Sequence, residues 1–183
     1  MPPQEEIRDW EIRQERAEDA PRIDALTEAG FGPGRYAKTA YRLREGVHAV
    51  TELGFVAVES GTLRGSVRFW PIKVGDDDVL LLGPLAVDST QRGRGIGISL
   101  MQAGIAAARE RGWRAILLVG DEPYYSRVGF AKLRSGQLQF PGPVDASRLL
   151  GLALENGALE KLSGLIRRAR IDEPVCADSA PLG

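Results

Sequence analysis

Between Leu80 and Ala108 the chain reads LLLGPLAVDSTQRGRGIGISLMQAGIAAA, and this stretch limits the possible folds more than any other. Leu80 to Val87 is a near-continuous apolar run, which predicts a strand buried on both faces. Asp88 to Arg94 is a polar turn. From Gly95 to Arg111 the spacing is helical, with Ile98, Met101, Ile105 and Ala108 on one side and Ser99, Gln102, Arg109 and Glu110 on the other. A buried strand therefore feeds a glycine-rich loop that opens a helix. The first backbone N–H groups of a helix have no intrahelical acceptor, and the dipole there favours negative charge. Such a loop is an anion site.

The kind of anion follows partly by elimination. A Walker loop needs Gly-Lys followed by Ser or Thr, and the chain contains no Gly-Lys pair. A dinucleotide fingerprint needs G-x-G-x-x-G, but Gly93, Gly95 and Gly97 are spaced two apart and Ile98 stands where the third glycine belongs. What fits is Arg92-Gly93-Arg94-Gly95-Ile96-Gly97, which resembles the pyrophosphate loop R/Q-x-x-G-x-G/A of the GNAT N-acetyltransferase superfamily. The other reading of this hexapeptide alone is a strand-to-helix turn that needs glycines and binds nothing.

The 183 residues predict one domain with a substantial core. A net charge of −1 gives no electrostatic case for nucleic acid. No apolar run approaches the roughly 20 residues of a membrane helix, so no membrane partner is expected. MPPQEEIRDW lacks the apolar centre of a signal peptide, and a cytoplasmic location is the expectation. One cysteine, Cys176, and one histidine, His48, argue against a disulfide and against a metal site.

Taken in order, Trp10 and Ile12 suggest a first strand ending near Arg16. Glu18, Asp19 and Pro21 suit the start of a helix that stops at Gly30, and Phe31 to Gly34 is a break. Arg35 to Arg44 reads as a second helix whose Tyr36 and Tyr41 either line a substrate cleft or pack its outer face. Phe55 to Val58 and Leu63 to Trp70 are strands, with Leu63, Val67 and Phe69 expected on one face and Pro71 expected to end pairing or mark an edge. Gly75 to Asp78 is a turn. Gly83-Pro84 interrupts the central strand, which predicts a bulge that frees backbone groups for a ligand, or a plain kink. Trp113 to Val119 is a second buried strand, joined to the first by a helical crossover and hence parallel to it. A short helix, Tyr124 to Val128, ends at Gly129, and Phe130 to Leu133 is a strand. Ser135 to Arg148 reads as a loop, Leu149 to Leu154 as the last strand, and Ala158 to Arg170 as a helix before an unpatterned tail. The fold class is α+β: a mixed, mainly antiparallel twisted sheet with one parallel pair, flanking helices and a bulged strand.

Tyr125-Ser-Arg-Val-Gly129-Phe130 is similar to the Y-x-x-x-G-F stretch of GNAT enzymes. It follows the Arg92 loop with one helix and one strand between, as in that family, and Leu85-Ala86-Val87 precedes the loop. GPLAV and YY-x-R-x-GF look like a group of small bacterial acetyltransferases of unassigned substrate. The resemblance covers about residues 10–155, the expected N-acetyltransferase domain, and leaves 156–183 as a C-terminal helix and tail. It implies a sheet that splays beside the bulged strand, with acetyl-coenzyme A as acyl donor in the gap. Leu85, Ala86 and Val87 resemble the strand that hydrogen-bonds the pantetheine arm. Arg92, Gly93, Arg94, Gly95, Ile96, Gly97 and Ile98 resemble the pyrophosphate loop, with Arg92 and Arg94 as added phosphate contacts. Asp121 stands near an asparagine that contacts the arm in many relatives, but an ionised carboxylate only accepts hydrogen bonds.

Tyr125 matches the family's general acid, which protonates the departing thiolate, a kind of help worth 10²–10⁴ in rate. An alkyl amine, with a pKa of about 10.4, must first lose a proton. Many relatives carry a glutamate base on the strand before the loop, but Leu80 to Val87 has no carboxylate. Relayed water or Asp121 would substitute. Two readings follow. The chain is an enzyme that acetylates an amine, of a small molecule or a peptide, as a monomer or homodimer. Alternatively it is a non-catalytic acyl-coenzyme A binding module acting as a sensor or partner protein. The acceptor would be chosen by the first two helices and the 135–148 loop, where no motif speaks.

Overall fold

The computed structural model describes residues 8–31 and 39–169. Residues 32–34 of the expected break, the first four residues of the expected second helix including Tyr36, and the tail with Cys176 lie outside the described residues.

Strand β1 (Glu11–Gln14) leads through a short 3-10 turn into α1 (Ala20–Phe31), and α2 (Thr39–Arg42) is all that is described of the second helix. Strands β2 (Phe55–Glu59), β3 (Thr62–Val74) and β4 (Asp77–Val87) then form antiparallel hairpins. Helix α3 (Ile96–Glu110) crosses to β5 (Ala115–Val119), which lies parallel to β4 through the pairs Leu80–Ile116 and Leu81–Leu117. Helix α4 (Glu122–Tyr125) follows, then β6 (Ala131–Lys132), β7 (Leu138–Gln139), β8 (Leu149–Ala153) and β9 (Gly164–Arg168). The sheet order is β1-β2-β3-β4-β5-β8-β6.

The apolar run of β4 is explained by burial on both faces. Leu80 and Leu82 pack with Phe69, Leu100, Met101 and Ile105 under α3. Val79 and Leu81, offset by one residue, pack on the far side with Ile72, Leu117 and Ile166. Helix α3 sits close to the sheet because a side chain on Gly104 would run into the Phe69 ring.

Several expectations are corrected. Of the helix expected over Ala158 to Arg170, the described residues 158–169 form turns followed by β9 instead. Gly164 takes φ 101, outside the helical region, and Ile166 then fills the second core while β9 supplies partners to Ile72, Lys73 and Val74 of β3. Leu149–Ala153 is thus not the last strand, and the 135–148 segment holds β7, which makes a second parallel pair with β9. Pro71 does not end β3, since it pairs opposite Leu80. It occupies the part of the other edge between the end of β2 and the start of β9, where no ladder donor is needed. Leu63 leaves the face of Val67 and Phe69 because β3 carries one extra residue at Arg64, between the pairs Ala57–Gly65 and Val58–Leu63. Leu63 therefore packs with Ile23 of α1. Among the described residues no helix is long and apolar enough to cross a membrane.

Candidate active site

The expected bulge lies at Gly83-Pro84. Phe69 pairs with Leu82 and Val67 with Leu85, so β4 spends three steps where β3 spends two. Gly83 takes φ 133, a value that favours glycine, and its carbonyl accepts the Trp70 indole N–H at 2.6 Å. Beyond Leu81 the pairing of β4 with β5 stops. The edge of Leu85, Ala86 and Val87 that faces β5 is left without a strand partner. A cavity of about 330 Å³ opens there.

The floor of this cavity is the glycine loop. Asp88 starts it by accepting from the Thr90 N–H and hydroxyl at 3.0 and 2.8 Å, a short 3-10 turn follows, and Gly93 and Gly95 both take φ 84. A Cβ on either glycine would meet nothing within 4 Å, so glycine is required there by conformation, not space. Gly95 caps α3, the Ser99 N–H makes the first helical bond to its carbonyl, and the N–H groups just before it face the cavity end of the helix. Gly97 is different. A side chain there would run into the Tyr124 hydroxyl.

Of the residues expected at the cofactor, Leu85, Ala86, Val87, Arg92, Gly93, Gly95, Ile96, Gly97 and Ile98 line this cavity together, and Arg94 and Asp121 do not. The Arg94 guanidinium is held by Glu59 at 2.8 Å and by Gln91, and its hydrogen bond is the main reason the Glu59 carboxyl titrates below its usual range. Glu59 also holds Arg64, which reaches Asp88 at 3.0 Å, so these charges brace the loop from outside. Asp121 is exposed and pairs with Arg148 at 3.3 Å. Sequence reasoning missed Arg127, which lines the cavity with its guanidinium 6.0 Å from the Tyr124 ring centre. Its place depends on the α4 turn, and the sequence marks it only as the Arg of the YY-x-R-x-GF stretch, with no role attached.

Tyr125 is positioned by that turn. Pro123 stands in the first turn of α4, a 3-10 turn continues it, and Gly129 at φ 99 ends it with its N–H on the Ser126 carbonyl at 3.0 Å. The Tyr125 ring meets Phe130 edge-on at 6.3 Å and Tyr124 at 5.1 Å. Burial, with smaller contributions from Tyr124 and Asp121, pushes its hydroxyl up to about 12, so it is protonated across the physiological range. Burial also raises Tyr124, opposed by Arg127.

Tyr125 and Leu85 also border a second cavity, of about 420 Å³, on the other side of the split. Its wall includes Thr27 of α1, Tyr41 of α2, Arg44, the Gly83-Pro84 bulge and the Pro143–Asp145 segment. The Thr39 hydroxyl ties α2 to that segment through the Pro143 carbonyl at 3.1 Å. Of the two tyrosines left open by the sequence, Tyr41 borders this cavity. Asp145 is its only carboxylate among the described residues, and the Ser147 hydroxyl and N–H hold it below its usual range.

The family model described as acetyltransferase (GNAT) family matches residues 6–133. An uncharacterised N-acetyltransferase of Escherichia coli K12, YhbS, is 35% identical over 158 residues, spanning 85% of this chain and 93% of that protein. The crystal structure of YhbS in complex with coenzyme A superposes with a TM-score of 0.75 at 34% identity, covering 87% of this chain and 89% of that one. A GNAT family acetyltransferase of Brucella melitensis, solved in complex with acetyl-coenzyme A, gives a TM-score of 0.62 at 31% identity, covering 80% and 88%.

Proposed function

The chain belongs to the GNAT acetyltransferase family, and from that premise we propose that it moves the acetyl group of acetyl-coenzyme A onto a primary amine at the split between β4 and β5. The pantetheine arm lies along Leu85, Ala86 and Val87 as an added strand would, and the pyrophosphate meets the N–H groups of the loop from Arg92 to Ile98. Arg92 and Arg127 supply charge at the phosphates. The amine enters through the second cavity. Because the Leu80–Val87 part of β4 has no carboxylate, its proton leaves through water in that cavity.

The neutral amine attacks the thioester carbon, the attacking nitrogen gives up a second proton to water in the cavity, the C–S bond breaks, and the Tyr125 hydroxyl gives its proton to the leaving thiolate. Solvent then reprotonates the tyrosinate. The observation that carries this reading is that Tyr125 borders both cavities, at the point where the two strands part. A cytoplasmic location belongs to the same reading, since a highly charged donor does not cross a bilayer unaided. Thiol release from acetyl-coenzyme A, followed against a panel of primary amines, tests it. Acetylated product with at least one amine is expected. Saturable coenzyme A binding without turnover on any amine would favour the non-catalytic module.

A further inference from the structure

Arg44 follows α2 in the wall of the second cavity, with its N–H on the Tyr41 carbonyl at 3.0 Å. Its guanidinium lies between two rings, 6.0 Å from the centre of Tyr41 and 5.9 Å from that of Trp70. It rests on the bulge: a Cβ on Gly83 would come within 2.6 Å of Nη2. Stacking uses the faces of a guanidinium and leaves its in-plane N–H donors to be satisfied by something else.

Nothing among the described residues satisfies all of them. Nε is closed off from solvent and has no hydrogen-bond partner. No carboxylate of the described residues pairs with Arg44, whereas other partly buried arginines are paired: Arg13 with Asp19, Arg64 with Glu59 and Asp88, and Arg68 with Glu15. Residues 32–38, just before α2, contain no Asp or Glu. Burial lowers the Arg44 pKa to about 10, which still leaves the group charged at neutral pH. An enclosed charge without a counter-ion is costly to keep, and stability alone does not account for it.

We propose that the second cavity takes an acceptor carrying a carboxylate as well as the reacting amine, and that Arg44 reads that carboxylate while the amine faces Tyr125. The proposal rests on the acetyl-transfer reading above. Its chemistry is that of a small amino acid, which a cavity of about 420 Å³ can hold. The carboxylate would supply the missing counter-ion through two in-plane N–H donors. A neutral amide in its place would leave both partners unsatisfied, which is how a polar site rejects a near-isostere.

The test compares glycine, β-alanine and 4-aminobutyrate with their carboxamides as acceptors. Acetyl-coenzyme A consumption is followed for the parent protein, Arg44→Met and Arg44→Lys. The best acid should exceed its amide in kcat/KM by about 10²-fold in the parent. Arg44→Met should bring that ratio near one, mainly through KM for the acid, with a melting temperature equal to or above the parent's. Arg44→Lys should keep an intermediate ratio and serves if the methionine variant does not fold. Amides used as well as acids, or a preference that survives Arg44→Met, would overturn the proposal while leaving acetyl transfer intact. If acetyl-coenzyme A binds but neither acids nor amides are acetylated, the proposed acceptor class is wrong. If acetyl-coenzyme A does not bind, the acetyl-transfer reading itself fails.

Discussion

The Tyr125 ring occupies the space in which a side chain on Gly120 would lie. Gly120 is buried at the end of β5, its N–H donates to the Arg148 carbonyl at 2.9 Å, and its φ is not in the left-handed region. Alanine is thus compatible with the backbone, and only the ring must move. Gly120→Ala should cost about 1–3 kcal/mol by overpacking and turn Tyr125 away from the split. Turnover should fall while the KM for acetyl-coenzyme A changes little, which steady-state kinetics and a melting curve check together.

Gly97 stands in the same relation to Tyr124, in the first turn of α3. Gly97→Glu brings a side chain and a negative charge to the place proposed for the pyrophosphate. Coenzyme A affinity measured by calorimetry should fall below detection, with the fold retained by circular dichroism. Affinity equal to the parent's would remove the phosphate assignment from this loop.

The arginines of the loop separate by their partners. Arg92 lines the cofactor cavity and has no ion pair among the described residues, whereas Arg94 is held by Glu59 and Gln91. Arg92→Ala should weaken coenzyme A several-fold and reduce the salt dependence of binding. Arg94→Ala should weaken coenzyme A and dephospho-coenzyme A equally, because its loss acts through the brace on the loop.

Asp19 makes a two-point ion pair with Arg13 at 2.7 and 2.9 Å and accepts the Arg16 N–H at 2.8 Å, and these partners lower its pKa from 3.8 to about 2. A carboxyl depressed by folding stabilises above its unfolded pKa and loses that contribution as pH falls through the folded value. Asp19→Asn should therefore cost about 1–3 kcal/mol near neutrality. The gap to the parent should narrow as pH falls from about 4 towards 2, and urea melts at a series of pH values measure it.

The elements that build the cofactor side were legible because their signals are local. The apolar run of β4, the helical period of α3, the glycines between them and the Gly83-Pro84 interruption each lie within one short stretch. What escaped depends on contacts distant in sequence. Strand β9 forms because β3 outruns β2 and offers its Ile72–Val74 edge as a partner. A single extra residue at Arg64 moved Leu63 to the other face. Glu59 captures Arg94 from across the sheet, and the isolation of Arg44 shows only once its neighbours are assembled.

The role proposed for the Tyr125 hydroxyl is to protonate the thiolate at the split of β4 and β5. Tyr125→Phe keeps the ring against Gly120 and Phe130 and removes one oxygen. The decisive measurement is the turnover rate of this variant on an accepted amine, beside its affinity for coenzyme A and its melting temperature. The expected rate is lower by roughly 10²–10³, with affinity and melting temperature close to the parent's. A variant that turns over at the parent rate would contradict it.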